Sequence, residues 1–171
     1  MEIQLVKPIP QHETAYWDFI KEWNEKGEKI IPAAVKPIGN SYQDWLTQTE
    51  KFEKKETCPS QFVPAYTYFL MDNNHKILGA INIRLELNEM LLNYGGNIGY
   101  GIAPSERRKG YASTMLALSL PIAKELGLEK VLVCCNKENI GSAKTIQKNN
   151  GILEDERANE NEITQRYWIT L

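Results

Sequence analysis

The chain has 171 residues, 42% of them hydrophobic and 25% charged, a balance that suits one soluble globular domain whose core needs neither disulfide nor metal. It excludes a disordered, collagen-like or membrane-embedded chain. The formal charge of −2 gives no general attraction to nucleic acid or to an anionic membrane, so any anion site has to be local.

The first residues, Met1-Glu-Ile-Gln-Leu-Val-Lys-Pro8, place an acid and a proline where a secretory signal needs a basic end and a long apolar run. Nothing elsewhere approaches the ~20 apolar residues that span a bilayer. Cys58, Cys134 and Cys135 are odd in number and lack CxxC spacing, so they suggest neither a disulfide framework nor a zinc site. The expected setting is a reducing cytoplasm, with no bound metal.

The first sixty residues read as two helices. Tyr16, Phe19, Ile20 and Trp23 recur at helical spacing, as do Tyr42, Trp45, Leu46, Thr49 and Phe52. Ser41-x-x-Asp44 has the form of a capping box for the second helix. Pro32 and Pro37-Ile-Gly39 mark one loop, and Cys58-Pro59 through Pro64 another. The charge run Lys51 to Glu56 reads as a solvated helix face. Trp17, Trp23 and Trp45 read as core.

From Ala65 the pattern becomes stranded. Tyr66 to Leu70, a turn at Asp72-Asn-Asn-His75, and Ile77 to Leu85 predict a hairpin. Residues 86–96 are ambiguous. A strand follows from Ile98 to Ala103, then a helix after Gly110 that Pro121 should kink and Gly127 should end. Val131 to Cys135 suits a buried strand, and Ile140 to Lys148 a helix ended by Asn150-Gly151. Two short strands, near 152–156 and 163–170, close a single domain over 1–171. The fold class is α/β, a mixed, mostly antiparallel central sheet flanked by helices.

The stretch Ile102-Ala-Pro-Ser-Glu-Arg107-Arg-Lys-Gly110-Tyr-Ala112 carries the most chemistry. A strand ends, three cations follow, a glycine lets the backbone turn closely, and a helix begins. The product is a nest of amides at a positive helix terminus, suited to a phosphate or pyrophosphate. Gly99-Tyr-Gly101-Ile-Ala-Pro104 only begins like GxGxxG, since Pro104 occupies the third glycine position. No GK[ST] exists for a P-loop.

Arg107-Arg-Lys-Gly110-Tyr-Ala112 matches the [RQ]xxGx[GA] signature of the GCN5-related N-acetyltransferase (GNAT) family, which the chain resembles. Asn97 to Pro104 is similar to that family's fourth strand, Val131 to Asn136 to its fifth, and Asn139-Ile-Gly-Ser142-Ala143 through Gly151 to the helix that follows. The resemblance covers residues 65–156 and reaches 1–60 only by the order of elements. It implies a fold whose fourth and fifth strands splay to admit acetyl-coenzyme A (acetyl-CoA), with 65–156 as the acetyl-CoA-binding core and 1–60 as acceptor-side helices. It assigns the pyrophosphate to the amides of Arg107, Arg108, Lys109, Gly110, Tyr111 and Ala112 with Ser113, and the pantetheine arm to strand backbone near Ile102 and to Asn139 and Ser142. A strand amide there would stabilise the oxyanion formed when an amine attacks the thioester.

Two positions depart from the family. Ile146 stands where many members place a tyrosine acid, and Asn97 where many place a glutamate base. Tyr100, Glu86 and Glu89 are the remaining candidates for a proton relay, and Arg84, Glu86 and Asn88 can face an acceptor. Asn139 and Ser142 also read as helix caps. Cys134-Cys135 reads as core rather than an acyl-cysteine relay, and His12 and His75 as surface residues. The expected activity is acetyl transfer from acetyl-CoA to a primary amine, small molecule or peptide, by direct attack in a ternary complex. The alternative from another class is a non-catalytic acyl-CoA-binding or sensing module. The family resemblance adds homodimers as a frequent state.

Overall fold

A computed structural model describes residues 2–171. In chain order the elements are β1 (Ile3–Val6), α1 (Glu13–Lys26), α2 (Tyr42–Phe52), β2 (Ala65–Asp72), β3 (Ile77–Arg84), β4 (Ile98–Ile102), α3 (Tyr111–Glu125), β5 (Lys130–Asn136), α4 (Ile140–Lys148), β6 (Ile152–Asn159) and β7 (Glu162–Thr170). They form one seven-stranded sheet in the order β1-β2-β3-β4-β5-β7-β6. Every neighbouring pair is antiparallel except β4 and β5.

Alternation along each strand divides the core into two layers. Leu70, Ile81, Ile83, Ile98, Val131 and Val133 pack with Met115 and Leu116 of α3 and Ile146 of α4. Phe69, Met71, Ile77 and Ala80 face the other way, onto α1 and α2. That second layer centres on a ring stack of Tyr16, Trp45 and Phe69, with centroids 4.6 and 5.7 Å apart. The Tyr16 hydroxyl donates to the Val35 carbonyl and the Trp45 Nε1 to that of Ala34, which ties the α1–α2 loop down to the stack.

Helix ends follow their local chemistry. The capping box at α2 forms: Ser41 Oγ accepts from the Asp44 amide at 3.1 Å, and Asp44 Oδ2 accepts from the Ser41 amide at 3.1 Å. α1 ends at Gly27 in the left-handed region (φ +64°), with the Glu28 amide bonded to the Trp23 carbonyl. α3 runs through Pro121 undivided and stops before Gly127, at φ +95°.

Two expectations need correction, on the charge run and the closing hairpin, and two elements go beyond what the pattern predicts. β1 has no signal in the sequence pattern; it pairs antiparallel with β2 at the sheet's edge. The charge run at 51–56 is helical only to Phe52, and Glu53 pairs with Lys7 at 2.7 Å. Residues 91–95 form a single π-type turn. The closing hairpin is longer than two short strands, because β6 reaches Asn159 and β7 begins at Glu162.

Candidate active site

β4 is closed at one end and open at the other. At its start the Asn97 amide donates to the Leu132 carbonyl (2.7 Å), Asn97 Oδ1 accepts from the Leu132 amide (2.8 Å), and Asn97 Nδ2 donates to the Arg84 carbonyl (3.0 Å). One buried side chain thus joins β3, β4 and β5. A glutamate at 97 could not supply the donor, so the residue in the family's base position serves here as a staple. Beyond it the parallel strands share the single register pair Ile98–Val133 and then part.

The hydrogen-bond phase decides which amides this opening leaves free. The Arg84 amide donates to the Asn97 carbonyl and the Ala103 amide to that of Leu78. Ladder groups alternate in direction along an antiparallel pair, so the amides of Gly99, Gly101 and Ala103 face β3. Those of Tyr100 and Ile102 face the gap towards β5.

The gap opens into a cleft of about 970 Å³. Its lining includes every candidate from Tyr100 and Ile102 through Arg107, Arg108, Gly110, Tyr111, Ala112 and Ser113 to Asn139 and Ser142, but not Lys109. At one end stands the first turn of α3. Its cap, Gly110, has φ +84°, and no side chain caps that helix. The first-turn amides are therefore available to an anion.

The three cations of the turn separate in role. Arg107 makes a bidentate pair with Glu28, at 3.1 and 2.6 Å, while its guanidinium lies 5.0 Å from the centre of the Trp23 ring. The Glu28 carboxyl is held below the usual carboxylate range by that bond. Lys109 Nζ turns back to Glu106 at 2.8 Å, and Glu106 also receives Lys76 at 2.6 Å. Only Arg108, exposed and at φ +62°, has no carboxylate among the described residues. The expected trio of free cations is thus one cation beside two structural ion pairs.

On the α4 side, Asn139 Oδ1 accepts from the Ser142 amide at 3.0 Å as the helix cap. Its Nδ2 has no acceptor among the described residues. Tyr100 and Ser142 meet across the cleft, hydroxyl to hydroxyl at 2.7 Å. Burial pushes the Tyr100 hydroxyl up to about 12, partly opposed by the bond to Ser142, so it is protonated at neutral pH.

Other candidates fall outside the cleft. Ile146 is fully buried in the core beneath α4, because its position on the helix faces the sheet; Ile140, Ser142 and Thr145 are the α4 residues with side chains in the cleft lining. Glu86 is exposed and pairs with Lys55 at 3.1 Å, and Glu89 is exposed; neither lines the cleft. Burial raises the Cys134 thiol to about 11 and that of Cys135 in the same direction, so neither is a ready thiolate at neutral pH. Among the described residues no group of three or more His, Cys, Asp and Glu side chains converges as a metal site.

The glycines of the incomplete GxGxxG stretch have a packing reason. A Cβ on Gly101 would stand 2.2 Å from the Ile31 carbonyl oxygen, and one on Gly99 2.8 Å from Arg84 Nη2. Sequence reasoning missed the wall made by Trp23, Glu28, Lys29 and Ile31. Its one local signal is Gly27, the helix stop that delivers Glu28 to Arg107.

These features coincide with known proteins. No curated protein sequence matches significantly. A family model described as an acetyltransferase (GNAT) domain matches residues 6–151. Among solved structures, the microcin C7 self-immunity acetyltransferase in complex with acetyl-CoA and AMP aligns at 18% identity and TM-score 0.69, over 99% of this chain and 93% of that one. Spermidine N-acetyltransferase from Vibrio cholerae, in complex with CoA and spermine, aligns at 14% and 0.67, over 98% and 95%. A phosphinothricin N-acetyltransferase, described as putative, aligns at 14% and 0.62, over 99% of both chains. At such identities the structures carry the fold; with a family model spanning most of its length, the chain belongs to the GNAT family of acetyltransferases.

Proposed function

We propose that the chain transfers the acetyl group of acetyl-CoA to a primary amine by direct attack in a ternary complex. The observation that carries this is the open edge of β4, with two amides facing a cleft that ends on the uncapped first turn of α3. The residues fit the co-substrate at both ends. Amides from Arg107 to Ala112, with Ser113 and the exposed Arg108, would take the pyrophosphate. The edge of β4 near Ile102, with Asn139 Nδ2 and Ser142, would take the pantetheine arm. Lys109 contributes its amide only, since its side chain is engaged with Glu106.

The Tyr100 or Ile102 amide would face the thioester oxygen as it gains charge, a fixed dipole already in place. As the C–N bond forms and the C–S bond breaks, the Tyr100 hydroxyl can give its proton towards the departing sulfur and recover one through Ser142. Of the carboxylates that line the cleft, Glu28 and Glu106 are both paired and Glu138 is exposed to solvent, so we assign none of them as a dedicated base. The amine then loses its proton through water.

Release of free thiol from acetyl-CoA in the presence of amines tests the activity; binding without release would favour the acyl-CoA-sensing alternative. Gly110→Val strains a φ that only glycine adopts easily and projects a branched side chain at the anion site. It should weaken acetyl-CoA binding at least tenfold by calorimetry, and unchanged affinity would defeat the assignment. Tyr100→Phe should lower kcat only on the order of tenfold, below the 10²–10⁴ of a dedicated acid or base. The apparent pKa of the rate should follow the amine when two acceptors of different basicity are compared. A homodimer and a cytoplasmic setting belong to the same reading, supported by Ile152, 74% exposed on the edge strand β6, and by three free cysteines. Light scattering at several concentrations checks the first.

A further inference from the structure

Arg84, the last residue of β3 and half-buried, differs from three of the other arginines. Arg107, Arg157 and Arg166 each lie against a carboxylate; Arg84 has none among the described residues. Its Nη1 donates to the carbonyls of Gly95 and Gly96, both at 3.1 Å. Those bonds occupy one nitrogen of the guanidinium. Nε and one hydrogen of Nη2 share another edge, the one that fits a carboxylate through two parallel bonds, and that edge has no acceptor among the described residues. Burial pulls the group's pKa down, with the Cys134 thiol the only neighbour opposing it, yet a guanidinium remains charged at any physiological pH.

Arg84 stands outside the lining of the acetyl-CoA cleft, and its distance from the β4 edge is set by Gly99. Arg84 Nη2 lies 2.8 Å from where a Cβ on Gly99 would stand, and Gly99 is the first residue beyond the last β4–β5 pair. Covalent geometry puts a Cβ within about 3 Å of the following amide nitrogen. The guanidinium is therefore no more than about 6 Å from the Tyr100 amide. It approaches from the sheet face opposite the Tyr100 side chain, the face on which α1 and α2 pack.

We propose that Arg84 binds a carboxylate of the acceptor, which makes the acceptor an α-amino acid or a close analogue. This rests on the acetyl-transfer reading and names the substrate class of the same site. The amine and carboxylate of such a molecule are separated by one carbon, a span that lets the carboxylate sit on the fork while the nitrogen reaches a carbonyl held at the β4 amides. A polyamine would bring a second cation to a cation with no compensating acid. A peptide N-terminus carries an uncharged amide where the carboxylate should be.

The test measures thiol release from acetyl-CoA by the wild-type chain with each L-amino acid and its C-terminal amide, alongside spermidine and a short peptide. At least one acid should exceed its amide ten- to a hundredfold in kcat/KM, expressed mainly in KM, the range expected for hydrogen bonds to a charged group. Arg84→Gln should bring that ratio close to one. Arg84→Lys, which keeps the charge without the fork, should reduce it in part. Gly99→Ala keeps Arg84 but displaces its Nη2, and should lower the ratio as well. The acid-to-amide ratio within each variant is its own control for folding, and acetyl-CoA affinity by calorimetry should be unaltered. Amides used as well as acids, preference for spermidine or peptide, or an equal fall for acid and amide in Arg84→Gln would overturn the proposal, leaving Arg84 as a support for the 91–96 turn. Thiol release with no amine of any kind, despite measurable acetyl-CoA binding, would overturn the transfer reading itself.

Discussion

The two ends of β4 lie four residues apart and are built on opposite terms. At Asn97 a buried side chain and its backbone complete four hydrogen bonds to two neighbouring strands. At Tyr100 and Ile102 the backbone faces a gap, and the walls are held from outside by Glu28 with Arg107 and by Glu106 with its lysines. A sheet can thus carry a slot through its middle when the point of divergence is fixed by a side chain rather than by more ladder. The closed end should govern stability, and the open end binding.

Replacing the staple should have the largest effect. Asn97→Leu leaves the Leu132 amide and the Arg84 carbonyl buried without partners, at about 1–3 kcal/mol each, so unfolding free energy should fall by about 2–6 kcal/mol in a denaturant titration. A loss under about 0.5 kcal/mol would show that the divergence is held by something else, since surface substitutions already reach that level.

Glu106→Gln comes next. Its carboxyl is held below the usual range by its bonds to Lys109 and Lys76, so it contributes stability above the ordinary glutamate pKa and loses it as pH falls through the depressed one. Both lysines are about half exposed, which limits the loss to about 1–2 kcal/mol at pH 7. Variant and wild type should converge as the carboxyl is protonated, and a difference that does not shrink as pH falls below the ordinary glutamate range would contradict the assignment.

The smallest effect on stability belongs to the open end. Asn139→Asp keeps an acceptor for the Ser142 amide, so thermal unfolding should move by no more than a few tenths of a kcal/mol. It removes the Nδ2 donor, and acetyl-CoA affinity should fall several-fold. If affinity survives intact, Asn139 is a cap and nothing more.

How much of this was legible in the sequence depended on the range of the interaction involved. α3, α4 and the β2–β3 hairpin are set by apolar periodicity and turn residues within a dozen positions, and they appear where the pattern places them. β1 is four residues long and has no period to display. Within 107–113 the sequence shows three adjacent cations, but the acids that claim two of them include Glu28, 79 positions away from Arg107. The same limit hid Ser142 as the partner of Tyr100, and it made Asn97 look like a missing base when it is a structural joint. Arg84 could be flagged as near an acceptor, but the absence of an acid beside it is visible only in three dimensions.

An unpaired strand edge is ordinarily a hazard, since its free N–H and C=O groups invite another chain to add a strand and begin aggregation. Here that edge faces a recess, with residues 138–142 at the start of α4 along one side and the 28–31 segment pressed onto Gly101 along the other. A single slender chain can enter such a slot, while a second β-strand, with side chains on both faces and a sheet behind it, is too broad to follow. The recess that suits the edge for ligand pairing also shields it from self-association.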